Sequence, residues 1–354
     1  MGSKGTVAVV TLGGTIACAS DPQGGVTPSS DPDFMASVLG EAIRSGTDLP
    51  QTRLVAGPSV ASAALDANGL SALIGRFERL VDEGACGLVV TTGTDALEEI
   101  AFLLDLLWCR DEPVVVLGAM RHGGLPGADG TMNLQDGLRV AAQDGVRGLG
   151  CLVVMNGEIH QAWQVRKSHS GLLSAFESTA GGPTGSVQEE TVRISSVSVI
   201  DRPAFKLGPA TSIPPVALVK ASLADDGRSL GVIDELGYRG LVVETMGGGS
   251  VPPAWAPGLE RLAAMMPVVY TSRTLAGPTL RSTYGGIGAE LHLRRMGLAP
   301  AGLLDGLKAR LLLGLLLASD ADTAAMQTVW HMFDIPTTSG HRPKFGAPSV
   351  AEAR

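Results

Sequence analysis

Cysteine is scarce in this chain. Its 354 residues hold 4, at Cys18, Cys86, Cys109 and Cys151, and none forms a C-x-x-C pair or another metal-ligand spacing. They read as small buried hydrophobes in a reducing compartment, with a disulfide or a reactive thiol as the alternative. Aromatics make up only 4% of the residues, so the core must be built from Ala, Val and Leu. Long apolar runs are missing too: the longest, Leu311–Ala318, is too short to span a bilayer and follows Lys308 and Arg310. Basic residues are outnumbered 27 to 35, and the net charge of −8 argues against a nucleic-acid surface, which needs cations to displace counterions. No secretory leader is expected, because a strand-like run begins at Thr6, and the expected location is the cytoplasm. The opening MGSKGT fits the myristoylation pattern formally. A short leader is the preferred reading, since a lipidated end would have to detach from that first strand.

What is abundant is glycine, at 47 residues, within an apolar fraction of 45%. This combination suits many tight strand-to-helix turns in a globular chain long enough for two domains. In the first half, Val7–Leu12, Gly87–Thr92, Pro113–Gly118 and Cys151–Met155 are apolar throughout, as strands buried on both faces are. Between them, Ala67–Glu83 and Ala96–Cys109 carry helical periodicity, with Leu97, Ile100, Leu104 and Leu107 on one face and Glu98, Glu99 and Asp105 away from it. The alternation predicts right-handed β-α-β crossovers with helices on both sheet faces. From Gly157 to Val199 polar and β-branched residues mix as in hairpins, and the Pro-punctuated stretch Arg202–Pro215 reads as a linker. A second set follows: strands Val216–Lys220, Gly240–Thr245 and Pro267–Ser272, with helices around Ser229–Leu236 and over Gly306–Leu317. The expected organisation is α/β with two parallel-sheet domains, 1–200 and 215–354, joined by a linker over 201–214.

Ligands of open parallel sheets bind at the carboxyl ends of the strands. Three segments there are unusual. Thr11–Ala17 (TLGGTIA) places two glycines and the Thr15 hydroxyl directly after the first strand; it is either a plain tight turn or a place where backbone approaches a ligand. Its adjacent glycines do not match the G-x-G-x-x-G of a dinucleotide site. Thr91–Glu99 (TTGTDALEE) closes a strand and opens a helix. Thr94 or Asp95 could be its N-cap with Glu98 as return partner, or the helix start could receive an oxyanion or a zwitterion. Lys167, in Val165–Ser168, is either a solvated surface charge or a partly buried base acting on a hydroxyl. Together the threonines, the carboxylate and the lysine have the parts of a hydroxyl-nucleophile amidase with a Thr-Lys-Asp relay.

At these residues the sequence resembles the bacterial L-asparaginase family. Thr11–Ala17 looks like that family's TGGTIA motif and Thr92–Glu99 like its (H/T)GTD-x-x-EE motif. Gly118–Asn133 (GAMRHGGLPGADGTMN), Val165–Ser168, Gly237–Pro252 (GYRGLVVETMGGGSVP), Val269–Arg273 and Lys308–Leu312 resemble further landmarks in the same order, over nearly the whole chain. The resemblance implies a larger, flavodoxin-like N-terminal domain and a smaller C-terminal α/β domain, with no metal and no organic cofactor. It implies that Thr15 is the nucleophile, and that Thr94, Lys167 and Asp95 form a second triad, with Asp95 also holding the substrate ammonium. It further implies that Ser62 holds the substrate carboxylate and that the Thr94 N–H serves an oxyanion hole. Ser250 falls where many members have an asparagine, and ungapped spacing back from Lys308 puts Glu290 where a neighbouring subunit's glutamate reaches the substrate. A homodimer or homotetramer is therefore expected.

The chain also departs from the pattern. The lid segment Cys18–Asp31 lacks the tyrosine that many members use to activate the first threonine, and Ala63 stands where glutamine is frequent. Rich in Gly, Ser, Pro and Asp, that segment is expected to be mobile without substrate. The expected activity is hydrolysis of the side-chain amide of L-asparagine to L-aspartate and ammonia. A glutaminase-asparaginase of broad specificity is the near alternative, since one methylene separates the substrates. The amidase subunit of a tRNA-charging amidotransferase normally carries an extra N-terminal domain, for which a first strand at residue 6 leaves no room. A non-catalytic amino-acid-binding regulator is expected to lose Thr15 or Lys167, and both are present.

Overall fold

The computed structural model describes residues 5–334 except 22, 23, 30, 32, 198–201, 209, 210 and 275, together with the strand 344–346. Met1–Lys4 of the leader, Pro22, Gln23 and Ser30 of the lid segment, and Pro209 and Ala210 of the Pro-punctuated stretch lie outside the described residues. The chain falls into two compact units, Met1–Ser198 and Val199–Arg354.

The first unit is built on strands β1 (Thr6–Gly13), β4 (Gln51–Val60), β5 (Ala85–Thr91), β6 (Val114–Leu117) and β7 (Cys151–Met155), all parallel. Between β1 and β4 lie the short strands β2 (Cys18–Ser20) and β3 (Val26–Pro28), which pair as an antiparallel hairpin over the lid segment. After β7 the chain turns back: β8 (Glu158–Gln161), β11 (Gly185–Gln188) and β12 (Thr191–Ile194) extend the sheet antiparallel, in the order β12-β11-β8-β7-β6-β5-β1-β4. The β7–β8 hairpin turns on Asn156-Gly157, both at positive φ, the pairing that matches strand twist in a two-residue turn. Strands β9 (Val165–Lys167) and β10 (Phe176–Ser178) form a separate ribbon.

Helices α1 (Phe34–Ser45) and α4 (Gly130–Ala141) pack on each other, as do α2 (Ala67–Asp82) and α3 (Leu97–Leu107), one pair on each sheet face. This arrangement breaks the expected handedness at one point. The α1 crossover runs from β1 to its neighbour β4, whereas the α4 crossover runs the opposite way, from β6 to β7, on the same face. The two must therefore differ in hand. The α2 and α3 connections run with α4 but on the other face, so they share the hand of α1, and β6–α4–β7 is the left-handed exception to a strong rule. The long connection 118–129 gives the chain room to reach that face.

Strands β1, β5 and β6 are completely buried over most of their length, which is why they read as unbroken apolar runs. By contrast β4, which sequence reading missed, lies at a sheet edge, with half of its residues exposed and only Val55 buried. The polar face expected for α3 is not there: Glu98 and Asp105 are buried, because α2 and β9 also pack against this helix. Asp105 Oδ1 accepts a hydrogen bond from the Cys151 N–H at 2.8 Å, which ties α3 to the first residue of β7.

In the second unit, parallel strands β14 (Val216–Lys220), β15 (Gly240–Thr245), β16 (Val268–Ser272) and β17 (Ala299–Pro300) make a four-stranded sheet in that order. Helix α7 (Gly306–Ala318) packs on β14, β15 and β16, and α5 (Ala256–Ala263) lies against β16. Helices α6 (Glu290–Arg295) and α8 (Thr323–Asp334) complete it, with the added pair β13 (Ala204–Lys206) and β18 (Lys344–Gly346). Part of the stretch read as linker is thus ordered within this unit, with Ala204 and Phe205 buried. The helix expected over Ser229–Leu236 is only a 3-10 turn, Arg228–Val232; Gly227, Gly231 and Gly237 leave too short a run to carry helix nucleation.

Replacing Asp105 with Ala should strip the Cys151 amide of its buried acceptor and destabilise the protein by about 1–3 kcal/mol, with Asp105→Asn losing less. Denaturant unfolding of both variants checks this; equal midpoints for wild type and Asp105→Ala would disprove it.

Candidate active site

The carboxyl ends of β4, β1, β5 and β6 lie side by side, and their loops meet through glycines. Gly13 and Gly14 have φ of +99° and +88°. A Cβ on Gly13 would lie 2.4 Å from the Val60 oxygen, and one on Gly14 would lie 2.2 Å from the Gly93 nitrogen. One on Gly93 would lie 2.7 Å from Ser62 Oγ, and one on Gly118 would lie 2.6 Å from the Thr92 oxygen and 3.1 Å from Thr94 Cγ2. Four loops thus close on one another where a side chain on any of these glycines would hold them apart.

This packing places Thr15, which starts a 3-10 turn at the end of β1, beside the Thr92–Thr94 loop. Ser62 is buried, and its hydroxyl accepts from the Ala96 N–H at 3.3 Å. Thr94 is buried and Asp95 is 81% exposed at its side chain. Neither caps α3: the N-cap is Ala96, and no side chain closes it. The capping-box reading is therefore corrected, and the two side chains are turned to another partner. Lys167 Nζ donates to Thr94 Oγ1 at 3.0 Å and to Asp95 Oδ1 at 2.7 Å. With 13% of its side chain exposed, Lys167 is not the solvated charge of the alternative reading.

Lys167 is delivered by the β9–β10 ribbon, in which Lys167 pairs with Phe176 and Val165 with Ser178. Ser178 Oγ in turn meets His160 Nδ1 of β8 at 2.9 Å, fixing the ribbon to the main sheet. Burial lowers the His160 pKa to about 4 and keeps the ring neutral. The Glu158 carboxylate 3.5 Å from Nε2 is half-exposed and too weakly coupled to offset that.

The loop after β6 is braced from beneath. Asp129 accepts from the Met120 and Arg121 N–H groups at 2.9 and 2.8 Å. Asn133 donates to the Gly118 carbonyl and to Asp129, and accepts from the Asn156 N–H at 3.0 Å. Asp129, Asn133 and His160 were not singled out from sequence. The first two lie inside a segment noted only as a landmark, and nothing about His160 signals its contact with a strand 18 residues on. In the second unit, Ser250 closes a glycine turn with Met246, and Glu290 opens α6 with its side chain completely buried. No group of three or more His, Cys, Asp or Glu with metal-binding geometry occurs among the described residues. No helix among them is long and apolar enough to cross a membrane.

A hydroxyl on a strand-end turn, next to a second hydroxyl held by a lysine that also bonds an aspartate, is the equipment of a hydrolase that attacks through a side-chain oxygen. The family model described as "Asparaginase, N-terminal" matches residues 6–199, and that described as "Glutaminase/Asparaginase C-terminal domain" matches residues 215–330. The chain belongs to the asparaginase family. It is similar to an L-asparaginase of Bacillus licheniformis, 29% identical over 317 residues that cover 88% of this chain and 95% of that one. It is 34% identical over 331 residues to a probable L-asparaginase of Deinococcus radiodurans, covering 92% and 96%. A solved structure of a probable cytoplasmic L-asparaginase from Campylobacter jejuni matches with a TM-score of 0.83 at 28% identity, covering 93% of this chain and 99% of that one.

The lowered pKa of His160 has a signed consequence. Between its ordinary value of 6.5 and about 4, the unfolded chain binds a proton that the folded chain refuses. Stability from this group is therefore complete above 6.5 and is lost as pH falls toward 4. Melting temperatures measured across that window should fall less steeply for His160→Gln than for wild type; parallel curves would refute the buried neutral ring.

Proposed function

We propose that this enzyme hydrolyses the side-chain amide of L-asparagine to L-aspartate and ammonia, with Thr15 as nucleophile. The observation that carries the reading is the Lys167–Thr94–Asp95 contact set beside the Gly14–Gly93 approach that brings Thr15 to it. Thr15 Oγ1 attacks the amide carbon, its proton passes to the departing nitrogen, and ammonia leaves behind an ester on Thr15. With Lys167 in its unprotonated amine form, water then attacks the ester carbon, Thr94 accepting a water proton as it passes its own to Lys167. The ester C–O bond breaks, aspartate leaves, and the proton held by Lys167 returns through Thr94 to Thr15 Oγ1. The Thr94 N–H, ahead of the α3 terminus, donates to the developing oxyanion. Asp95, with most of its carboxylate open to solvent, receives the substrate ammonium, and Ser62 the substrate carboxylate. No tyrosine is available from the lid, so Thr15 is activated by a neighbouring hydroxyl, a water or a group from another subunit.

Glutamine is the competing substrate, in keeping with a C-terminal family model named for both activities. The working assembly is a homodimer or homotetramer in which Glu290 closes a neighbour's site, with Ser250 a further substrate contact. Its location is the cytoplasm, in line with the solved relative described as cytoplasmic.

Ammonia release from Asn and Gln, measured side by side, tests the activity. Wild type should favour Asn, and Lys167→Met should lose about 100-fold or more in turnover, the scale of a lost proton-transfer group, at an unchanged melting temperature. A folded Lys167→Met with near-normal turnover would return this lysine to a structural role. Peptide mapping after rapid quench with a slow substrate analogue should find the acyl adduct on Thr15; an adduct on Thr94 would reverse the two roles.

A further inference from the structure

Lys167 is the last residue of a ribbon that lies outside the main sheet. Strands β9 and β10 have three residues each and pair with one another, and the chain beyond Lys167, residues 168–172, is exposed. A two-stranded ribbon is marginally stable by itself, so this one depends on what it is fastened to. Cross-strand partners point to the same side. Val165, Lys167, Phe176 and Ser178 therefore share one face, and Arg166 and Glu177 share the other. Val165 and Phe176 are buried, which turns the first face inward, where α3 lies against β9 and β8 against β10.

Two polar side chains stand at diagonal corners of that inward face. Lys167, paired with Phe176, donates from Nζ to Thr94 Oγ1 at 3.0 Å and to Asp95 Oδ1 at 2.7 Å. Ser178, paired with Val165, places its Oγ 2.9 Å from His160 Nδ1. His160 has no exposed surface and is itself paired with Val153 of β7, inside the main sheet. The backbone bonds from Ser168 N–H to the Ala175 carbonyl and from Thr179 N–H to the Gln164 carbonyl join the two arms of the ribbon to each other. The His160–Ser178 bond does something different: it joins the ribbon to a strand of the sheet.

A lysine amine rides on a flexible four-carbon stem, so its place at Thr94 is only as fixed as the backbone beneath it. Displacing a reacting group by about 1 Å costs up to about 100-fold in rate. We propose that the His160–Ser178 hydrogen bond registers the ribbon on the main sheet and thereby keeps the Lys167 amine within reach of Thr94. Both are positioning residues that act through the lysine. Their effect on the reaction rests on the reading that Lys167 takes the Thr94 proton while the ester is hydrolysed. A shifted lysine then slows hydrolysis of the ester and leaves its formation untouched. In such a two-step sequence kcat and KM fall in the same proportion, while kcat/KM, set by ester formation, does not change.

Steady-state ammonia release from Asn by the full chain tests this with Ser178→Ala, which removes one hydroxyl from a half-buried position. Ser178→Ala should lower kcat by about tenfold, less than Lys167→Met does, and lower KM in the same proportion. Rapid quench should find more ester on Thr15 than in wild type. Introduced into Lys167→Met, Ser178→Ala should cost nothing further, because the amine that it places is gone. If Ser178→Ala and Lys167→Met each lower kcat and kcat/KM together, with losses that still do not add, the lysine serves ester formation. The step assigned to it has then failed and the anchoring stands. Wild-type kcat in Ser178→Ala, or an undiminished loss from it in the Lys167→Met background, would overturn the anchoring.

Discussion

The constraint on which the site rests is the contact of two glycine turns. Gly14 lies against Gly93 at a distance that no Cβ permits, while Gly93 in turn lies against Ser62 and Gly118 against Thr92. Everything proposed for the site depends on this, because two loops from adjacent strands normally stand apart by the width of their side chains. Removing those side chains brings the strand-end threonines into one space. The glycines here serve close approach as much as turning, and that is why two of them stand together in the first motif.

The second requirement is a lysine brought to a threonine 73 positions away in the chain. It is met by the antiparallel extension of the sheet after β7 and by the β9–β10 ribbon laid against α3. The left-handed α4 crossover belongs to the same end of the sheet, where the connection 118–129 leaves β6 beside Thr94 and is braced by Asp129 and Asn133. Departures from common topology are costly, and they recur where a site must be assembled.

Family membership and site geometry contribute different things. The family matches span nearly all of both units and fix the reaction class. Contacts within the first unit supply reasons for particular residues: Lys167 is held by a hydroxyl and a carboxylate, and Asp95 is left open to solvent on its other side. The two units share a design, parallel strands with glycine turns at their carboxyl ends. The second spends its turn differently, on a glycine loop enclosed by buried Tyr270, Thr279 and Glu290.

Sequence alone determined the strands that are buried on both faces, because their apolar runs have no other explanation. Gly240–Thr245 and Cys151–Met155 were read with the bounds they have, whereas the half-exposed edge strand β4 was invisible for want of that signal. The motifs also named Thr15, Thr94, Asp95 and Lys167 as chemistry-bearing. Whether Thr94 and Asp95 cap a helix or face a lysine was decided only by the tertiary structure, since both readings use the same side-chain oxygens and differ only in what lies opposite. The same holds for Asp105, polar in sequence yet buried under α2 and β9. Periodicity reports the environment of one face of one element. Burial on the remaining faces is set by elements distant in the chain, and no local pattern encodes their arrival.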